Sequence, residues 1–276
     1  MKHKFKKTLM AVLPQKTISK AVGKMAKSKL SKVTIKPYAK LYNIDLKDVE
    51  KSIEDYHNLT DFFIRKMKKS ARPINEQEDV VISPVDGLVT QMGEIKNGTL
   101  IQAKGCTYSV EDLVVDKKEA LKYKEGYFMT VYLSPKDYHR IHMPCEGKVN
   151  KFTYVPGRLY PVNEIGVEGV HNLFTKNERV ITHVSGSKGD FALVKVGAFI
   201  VGSVQTTYGF SPMSLNEKGV YHETLSSPFV YQKGEEIGHF EFGSTVILLF
   251  DKNHIQVVED VKVGTSLKFG QKIAYK

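Results

Sequence analysis

The segment Ser134-Pro135-Lys136-Asp137-Tyr138-His139-Arg140-Ile141-His142-Met143-Pro144 gathers two imidazoles, a carboxylate, a guanidinium and a phenol between two prolines. Prolines stiffen a loop, and catalytic side chains are best presented from rigidly held loops. A neutral imidazole takes up a proton near pH 7 and its conjugate acid returns it, so this is a candidate acid–base segment. Two histidines three apart also suit a metal, but no cysteine, histidine or carboxylate cluster of zinc spacing accompanies them, so no metal is expected. Standing alone, the segment reads first as a pair of structural histidines.

Two further places carry chemistry. In Ser83-Pro84-Val85-Asp86-Gly87 a carboxylate sits on a turn that feeds a strand. Such an aspartate commonly bonds its own backbone, and it can also orient a histidine and stabilise the imidazolium. In Glu241-Phe242-Gly243-Ser244-Thr245 a serine follows glycine at the mouth of a hydrophobic run. The flanking glycines of a hydrolase nucleophile elbow are missing. The serine hydroxyl has another available target, the carbonyl of the residue before it. Gly243, lacking a Cβ, eases the distortion such an attack requires. An N-to-O acyl shift, elimination to dehydroalanine and hydrolysis would leave a pyruvoyl group at a new N-terminus. That route needs a base and oxyanion donors, and Asp86, a histidine and Ser244 would fill the triad roles.

The elements that must position these residues change character along the chain. From Thr17 to Leu30, apolar residues recur at Ile18, Ala21, Val22, Met25, Ala26 and Leu30 with lysines between them, the pattern of a basic amphipathic helix. A second helical region is expected over Leu46–Lys69, with Asp45 as N-cap and an apolar stripe of Val49, Ile53, Leu59, Phe62, Phe63 and Met67. Beyond Val80 the period shortens to that of strands. The runs are Gly87–Met92, Thr99–Ala103, Tyr127–Leu133, Gly147–Tyr154, Arg179–Val184, Phe191–Val196, Ser203–Thr207, Gly238–Phe242 and Thr245–Phe250. The expected class is α+β: N-terminal amphipathic helices, then a mostly β catalytic domain with an antiparallel or mixed sheet. The boundary falls near residues 72–80, giving a basic helical membrane-associating region over 1–75 and a β-rich domain over 76–276.

Charge sharpens that division. The net charge is +11, yet residues 1–40 hold twelve lysines and no acidic residue, leaving 29 Lys and Arg against 30 Asp and Glu in the rest. Beside an apolar helical stripe, such a front end suits adsorption to an anionic bilayer, each nearby lysine adding about 1 kcal/mol. Nucleic acid is not expected, because the segment has only Phe5 and Tyr38 for stacking and no arginine. No run approaches the roughly 18 apolar residues of a spanning helix, and Leu9–Leu13 is too short for a signal-peptide core. Cys106 and Cys145 are too few for a secreted disulfide framework, which points to a reducing compartment.

Taken together the motifs resemble the phosphatidylserine decarboxylase family of pyruvoyl enzymes. The resemblance runs through LTDFFIR (59–65), ARPI (71–74), SPVDG (83–87), KGCTYSVEDLV (104–114) and, most specifically, YLSPKDYHRIHMPCEGKV (132–149). It continues through GRLYPVN (157–163), LFTKNERV (173–180), VGAFIVGSV (196–204) and FGST (242–245), where Phe242 replaces the family's leucine. The resemblance implies a self-processing triad of Asp86, His142 and Ser244, with Asp86 orienting His142 and His142 deprotonating Ser244. Cleavage between Gly243 and Ser244 would give chains 1–243 and 244–276, and Ser244 would become the covalent pyruvoyl cofactor. His139 matches the position that returns a proton after carbon dioxide leaves. The implied substrate is phosphatidylserine in anionic membranes, converted to phosphatidylethanolamine. The implied setting is that of a peripheral protein on the cytoplasmic face of the cell membrane, with the two cleaved chains held together and a possible homodimer. Two other classes stay open: a self-processing enzyme acting on a soluble amino acid, and a non-catalytic lipid-surface binder.

Overall fold

The computed structural model describes residues 15–103, 106–187, 189–199, 204–210, 219–241, 243–252 and 255–276. The lysines at 2, 4, 6 and 7, the run Leu9–Leu13, the start of the 104–114 motif, Ser203 and Phe242 lie outside the described residues.

The strands are β1 (Val80–Ile82), β2 (Gly87–Glu94), β3 (Thr99–Ala103), β4 (Cys106–Ser109), β5 (Tyr127–Leu133), β6 (Arg140–His142), β7 (Gly147–Val155) and β8 (Arg179–Gly186). They continue with β9 (Gly189–Val196), β10 (Val204–Thr206), β11 (Tyr221–Tyr231), β12 (Glu236–Phe240), β13 (Ser244–Phe250), β14 (Gln256–Val257), β15 (Ser266–Leu267) and β16 (Lys272–Tyr275). Eight form one sheet in the order β11-β7-β8-β9-β13-β5-β2-β15, and the ladders between these named strands are antiparallel. The class is α+β.

β13 lies inside this sheet, paired along its length with β5 on one side and along six residues with β9 on the other. Its sequence, Ser-Thr-Val-Ile-Leu-Leu-Phe, is apolar without alternation because both faces are covered. Val246, Leu248 and Phe250 enter one core with Ile141, Ile237, Phe240 and Ile273 from two smaller sheets, β10-β12-β6 and β1-β16-β14. Ile247 and Leu249 enter the opposite core with Leu113, Tyr123, Phe174 and Phe63.

The N-terminal region begins with α1 (Gln15–Ala26) and, after a 3-10 turn over Lys29–Thr34, α2 (Ile35–Leu41). The expected apolar stripe divides: Ala26 is buried and Ile18 and Val22 are half-buried, whereas Ala21, Met25 and Leu30 face outward. Leu46–Lys69 is not one helix. Asp45 caps only the 3-10 turn Leu46–Asp48, a second turn covers Ile53–Asp55, and Asn58 caps the short α3 (Leu59–Phe63) by accepting from the Asp61 N–H. The short polar side chains of Asp45 and Asn58 divert the backbone into local caps and break the helix into turns. The apolar residues still converge: Val49, Tyr56 and Phe62 bury against Ile35 and Ala39, with Ile53, Leu59 and Met67 packed on them.

Candidate active site

The acid–base loop leaves β5 at Leu133 and returns as β6, and it is pinned from several directions. The Asp137 carboxylate accepts from both the backbone N–H and the hydroxyl of Ser134, each at 2.7 Å. The buried Arg65 donates through Nη2 to the carbonyls of Lys136 (2.6 Å) and Asp137 (3.1 Å), and the Tyr38 hydroxyl donates to Pro135 O. Arg140 reaches back to Ile64 O at 2.8 Å and grips both Glu236 oxygens at 2.7 Å. The helical region therefore serves as the clamp on the loop.

His139 is fully buried, its ring 4.1 Å from that of Phe63. Its Nδ1 faces the Asp137 carbonyl at 2.8 Å, so Nδ1 carries the proton and Nε2 keeps its lone pair. That Nε2 has no hydrogen-bond partner. Burial pulls its pKa down to about 3. His142 is built differently. Its Nδ1 donates to Gly234 O and its Nε2 accepts from the Tyr138 hydroxyl, both at 2.8 Å, while its ring stacks on Phe269 at 3.7 Å. Burial, only partly offset by the Gly234 carbonyl, lowers its pKa to about 4. Both rings are therefore neutral at pH 7, and burial makes each a weaker base than a free imidazole.

Asp86 closes the turn before β2. Gly87 holds a positive φ, and a Cβ there would meet Tyr132 O at 2.5 Å, so the turn lies tight on β5. The Asp86 carboxylate accepts from Arg72 Nε (2.9 Å) and Nη2 (2.5 Å) and from the Phe269 backbone N–H (2.8 Å). It is not hydrogen-bonded to His142. The two are joined through Phe269, whose N–H holds Asp86 and whose ring backs His142, and through the His142 N–H, which donates to Pro84 O.

Ser244 is the first residue of β13, fully buried and directly opposite Leu133. Its Oγ has no hydrogen-bond partner. Four residues upstream, the Phe240 N–H donates to His139 O. No hydrogen bond joins Ser244 to either histidine. The structure thus gives one bonded group, Arg72–Asp86–Phe269 with His142 and Tyr138, and two buried atoms without partners, His139 Nε2 and Ser244 Oγ. The cradle of Arg72, Phe269, Arg65 and Gly234 was not read from the sequence as part of the site, although Arg72 lies in the ARPI motif.

A cleft of about 250 Å³ between Lys118, Lys122, Lys151 and His183 contains none of these residues. Its cations Lys122 and Lys151 are already paired with Glu119, Asp190 and Asp116. Among the described residues no three His, Cys, Asp or Glu side chains converge to hold a metal ion.

The sequence model of the phosphatidylserine decarboxylase family matches residues 59–275. The chain belongs to that family. It is 47% identical over 266 residues to a Brevibacillus brevis protein named phosphatidylserine decarboxylase proenzyme, covering 96% of this chain and 95% of the relative. Proteins of the same name from Haemophilus influenzae and Aliivibrio salmonicida are each 39% identical, over 99% and 100% of this chain and 97% and 99% of their own lengths. The chain is a decarboxylase made as a proenzyme. The match begins at Leu59 and takes in Arg65, Arg72, Asp86, both histidines, Gly243, Ser244 and Phe269.

Proposed function

We propose that the chain cuts itself between Gly243 and Ser244 and then converts phosphatidylserine to phosphatidylethanolamine and carbon dioxide at a membrane surface. The observation that carries this is the buried, unpartnered Ser244 hydroxyl directly after Gly243, in a chain of this family. Other buried hydroxyls here also lack a partner; what distinguishes Ser244 is its place directly after Gly243 in a chain of this family. It fits the origin of a pyruvoyl group, which, once present, supplies the electron sink for decarboxylation.

Ser244 Oγ attacks the Gly243 carbonyl and His142 accepts the hydroxyl proton. His142 is neutral, and its Nε2 becomes free when Tyr138 rotates its hydroxyl away. Asp86 acts on His142 through Phe269 and the Pro84 carbonyl, and Arg72 holds the Asp86 carboxylate in place. His139, with Nδ1–H fixed by Asp137 O, keeps Nε2 free to carry the proton that the substrate carbon needs after carbon dioxide leaves. Gly243 meets no steric demand from the fold, since a Cβ there would have only Leu133 O at 3.7 Å as a neighbour. Its requirement lies in the attack, where a Cβ would crowd the carbon becoming tetrahedral.

The products would stay together. β13, β15 and β16 of the 244–276 chain pair with β5, β9, β2 and β1 of the 1–243 chain. Whether two such pairs form the homodimer implied by the family resemblance is read by sedimentation equilibrium.

The helical region supports a peripheral location on the anionic cytoplasmic face. Met25, Leu30, Val33 and Leu41 are 66–85% exposed, interspersed with Lys24, Lys29 and Lys40. No described helix is long and apolar enough to cross a membrane. An apolar set ringed by ammonium groups suits the headgroup region of phosphatidylserine bilayers.

The deciding experiment is the denatured intact mass of the purified protein beside Ser244→Ala, with carbon dioxide release from phosphatidylserine vesicles and from free serine. Two chains divided after Gly243, with release from vesicles alone, support the reading. A folded wild-type chain that never divides sinks it. The division of labour predicts that His142→Ala stays uncut, whereas His139→Ala is cut but does not turn over; the reverse pattern would make His139 the base for cleavage.

A further inference from the structure

The self-cleavage proposed above depends on holding the Gly243–Ser244 bond in place, and an ion pair from the N-terminal region grips Glu241, two residues before Gly243. Lys27 Nζ lies 2.7 Å from Glu241 Oε1, joining the residue just after α1 to the segment before the Gly243–Ser244 bond. The Glu241 side chain is 9% exposed and that of Lys27 is 41% exposed. An exposed surface pair would contribute little. Here one carboxylate is buried, and leaving it without its cation is costly.

The position of Lys27 is itself fixed. Ala26, next to it, is buried in the same core as Phe63, whose ring packs on His139. Glu241 follows directly on Phe240, the last residue of β12, whose N–H is bonded to His139 O. Ser244 opens β13 opposite Leu133. Glu241 is thus held by β12 on one side and by Lys27 on the other, and Ser244 is held by β13.

We infer that Lys27 is a positioning residue for self-cleavage: its ion pair with Glu241 orients the Gly243 carbonyl toward Ser244 Oγ and couples the basic amphipathic segment to the bond that is cut. A misplacement on the order of 1 Å of a reacting carbonyl lowers rates by about a hundredfold, so a modest loosening of this connection is readable. Lys27 touches neither reacting atom and acts through Glu241.

The test follows the appearance of the 244–276 chain with time by denatured intact mass in full-length protein. Wild type is compared with Lys27→Ala, Lys27→Arg, Lys27→Glu, Glu241→Lys and the exchanged pair Lys27→Glu/Glu241→Lys, and the circular dichroism of each confirms folding. Lys27→Ala is expected to slow cleavage about tenfold, the size of a lost charge-assisted contact. Lys27→Arg is expected to stay near the wild-type rate, and the exchanged pair to recover most of what the single changes lose. Cleavage of Lys27→Ala at the wild-type rate overturns the inference, as does an exchanged pair as slow as its single parents. Failure of wild type itself to divide would instead strike the proposed self-cleavage, which keeps the two outcomes separate.

Discussion

Lys195 offers the most quantitative test of the physics of this core. It lies on β9, wholly buried, on the same sheet face as Leu193 and Val246. No carboxylate faces it: Nζ donates to Thr182 Oγ1 and, at 3.3 Å, to the Tyr208 hydroxyl. Burial lowers its pKa from 10.5 to about 7. The unfolded chain therefore binds a proton that the folded chain gives up between about pH 7 and 10.5, so this group makes stability rise with pH across that window. Its penalty is largest below pH 7, where both states are protonated, and vanishes above 10.5. At pH 7.5 the gap to the unfolded value is roughly three pH units, or about 4 kcal/mol. Lys195→Met keeps the length of the side chain and removes the charge. Thr182 and Tyr208 keep a partner, because their hydroxyls already lie 2.8 Å apart. The substitution is expected to stabilise the protein by about 2–4 kcal/mol at pH 7.5, in line with other buried charges replaced by apolar groups, and by close to nothing at pH 11. The assay is urea unfolding followed by circular dichroism from pH 7 to 11, in the Ser244→Ala background so that a single uncut chain unfolds. A difference independent of pH, or a destabilised methionine variant at pH 7.5, would refute the assignment of Lys195 as a desolvated, unpaired amine.

Gly243→Ala is expected to fold normally, since its Cβ would meet only Leu133 O at 3.7 Å, yet to form the 244–276 chain at least about tenfold more slowly, read by intact mass. Arg72→Met leaves the buried Asp86 carboxylate with the Phe269 N–H alone and is expected to lower stability by about 3–5 kcal/mol in urea unfolding. Because burial holds His139 near 3 and His142 near 4, both stay unprotonated as pH falls through 6.5. The cleavage rate is then flat from pH 8 to 6 and drops only toward pH 4; an inflection near 6.5 would show a solvated histidine in control. Met25→Glu with Leu30→Glu is expected to weaken sedimentation with phosphatidylserine vesicles about tenfold or more while leaving the fold intact, since both side chains point outward.

What the sequence disclosed follows the range of the forces involved. β3 and β5 have the bounds that their alternation and apolar content predict, and β13 begins one residue earlier than expected. β11 escaped notice because it is an edge strand whose second half carries Ser226, Ser227 and Pro228 and is exposed, so only Tyr221, Leu225 and Tyr231 face the core. β6 was hidden inside the acid–base loop, its three residues paired with β12 rather than with a neighbour in sequence. The helical expectation for Leu46–Lys69 failed where caps won over propensity, yet its apolar residues were rightly grouped. At the site, residue types nominated the segments that carry Asp86, His139, His142 and Ser244, and the family resemblance assigned them their expected roles. Their partners were not legible, since the Phe269 N–H that holds Asp86 comes from 183 positions away.

That long-range bond also bears on how a chain can be cut in its core and keep its site. Phe269 belongs to the segment after Ser244, whereas Asp86, Tyr138 and His142 belong to the segment before it. The Asp86–Phe269 bond and the Phe269–His142 stack would therefore tie the two products of the proposed cleavage together at the site itself, in addition to the β13 ladders. A cleavage that released the short chain would strip Asp86 of one of its donors and His142 of its stacking partner. The frame around the histidines is thus complete only while both products remain bound. Phe269→Ala separates the two contributions. It keeps the backbone donor to Asp86 but removes the ring behind His142, so cleavage should slow while Asp86 stays held by Arg72. Cleavage at the wild-type rate in that variant would show that the ring serves packing alone and that Asp86 reaches His142 by another route.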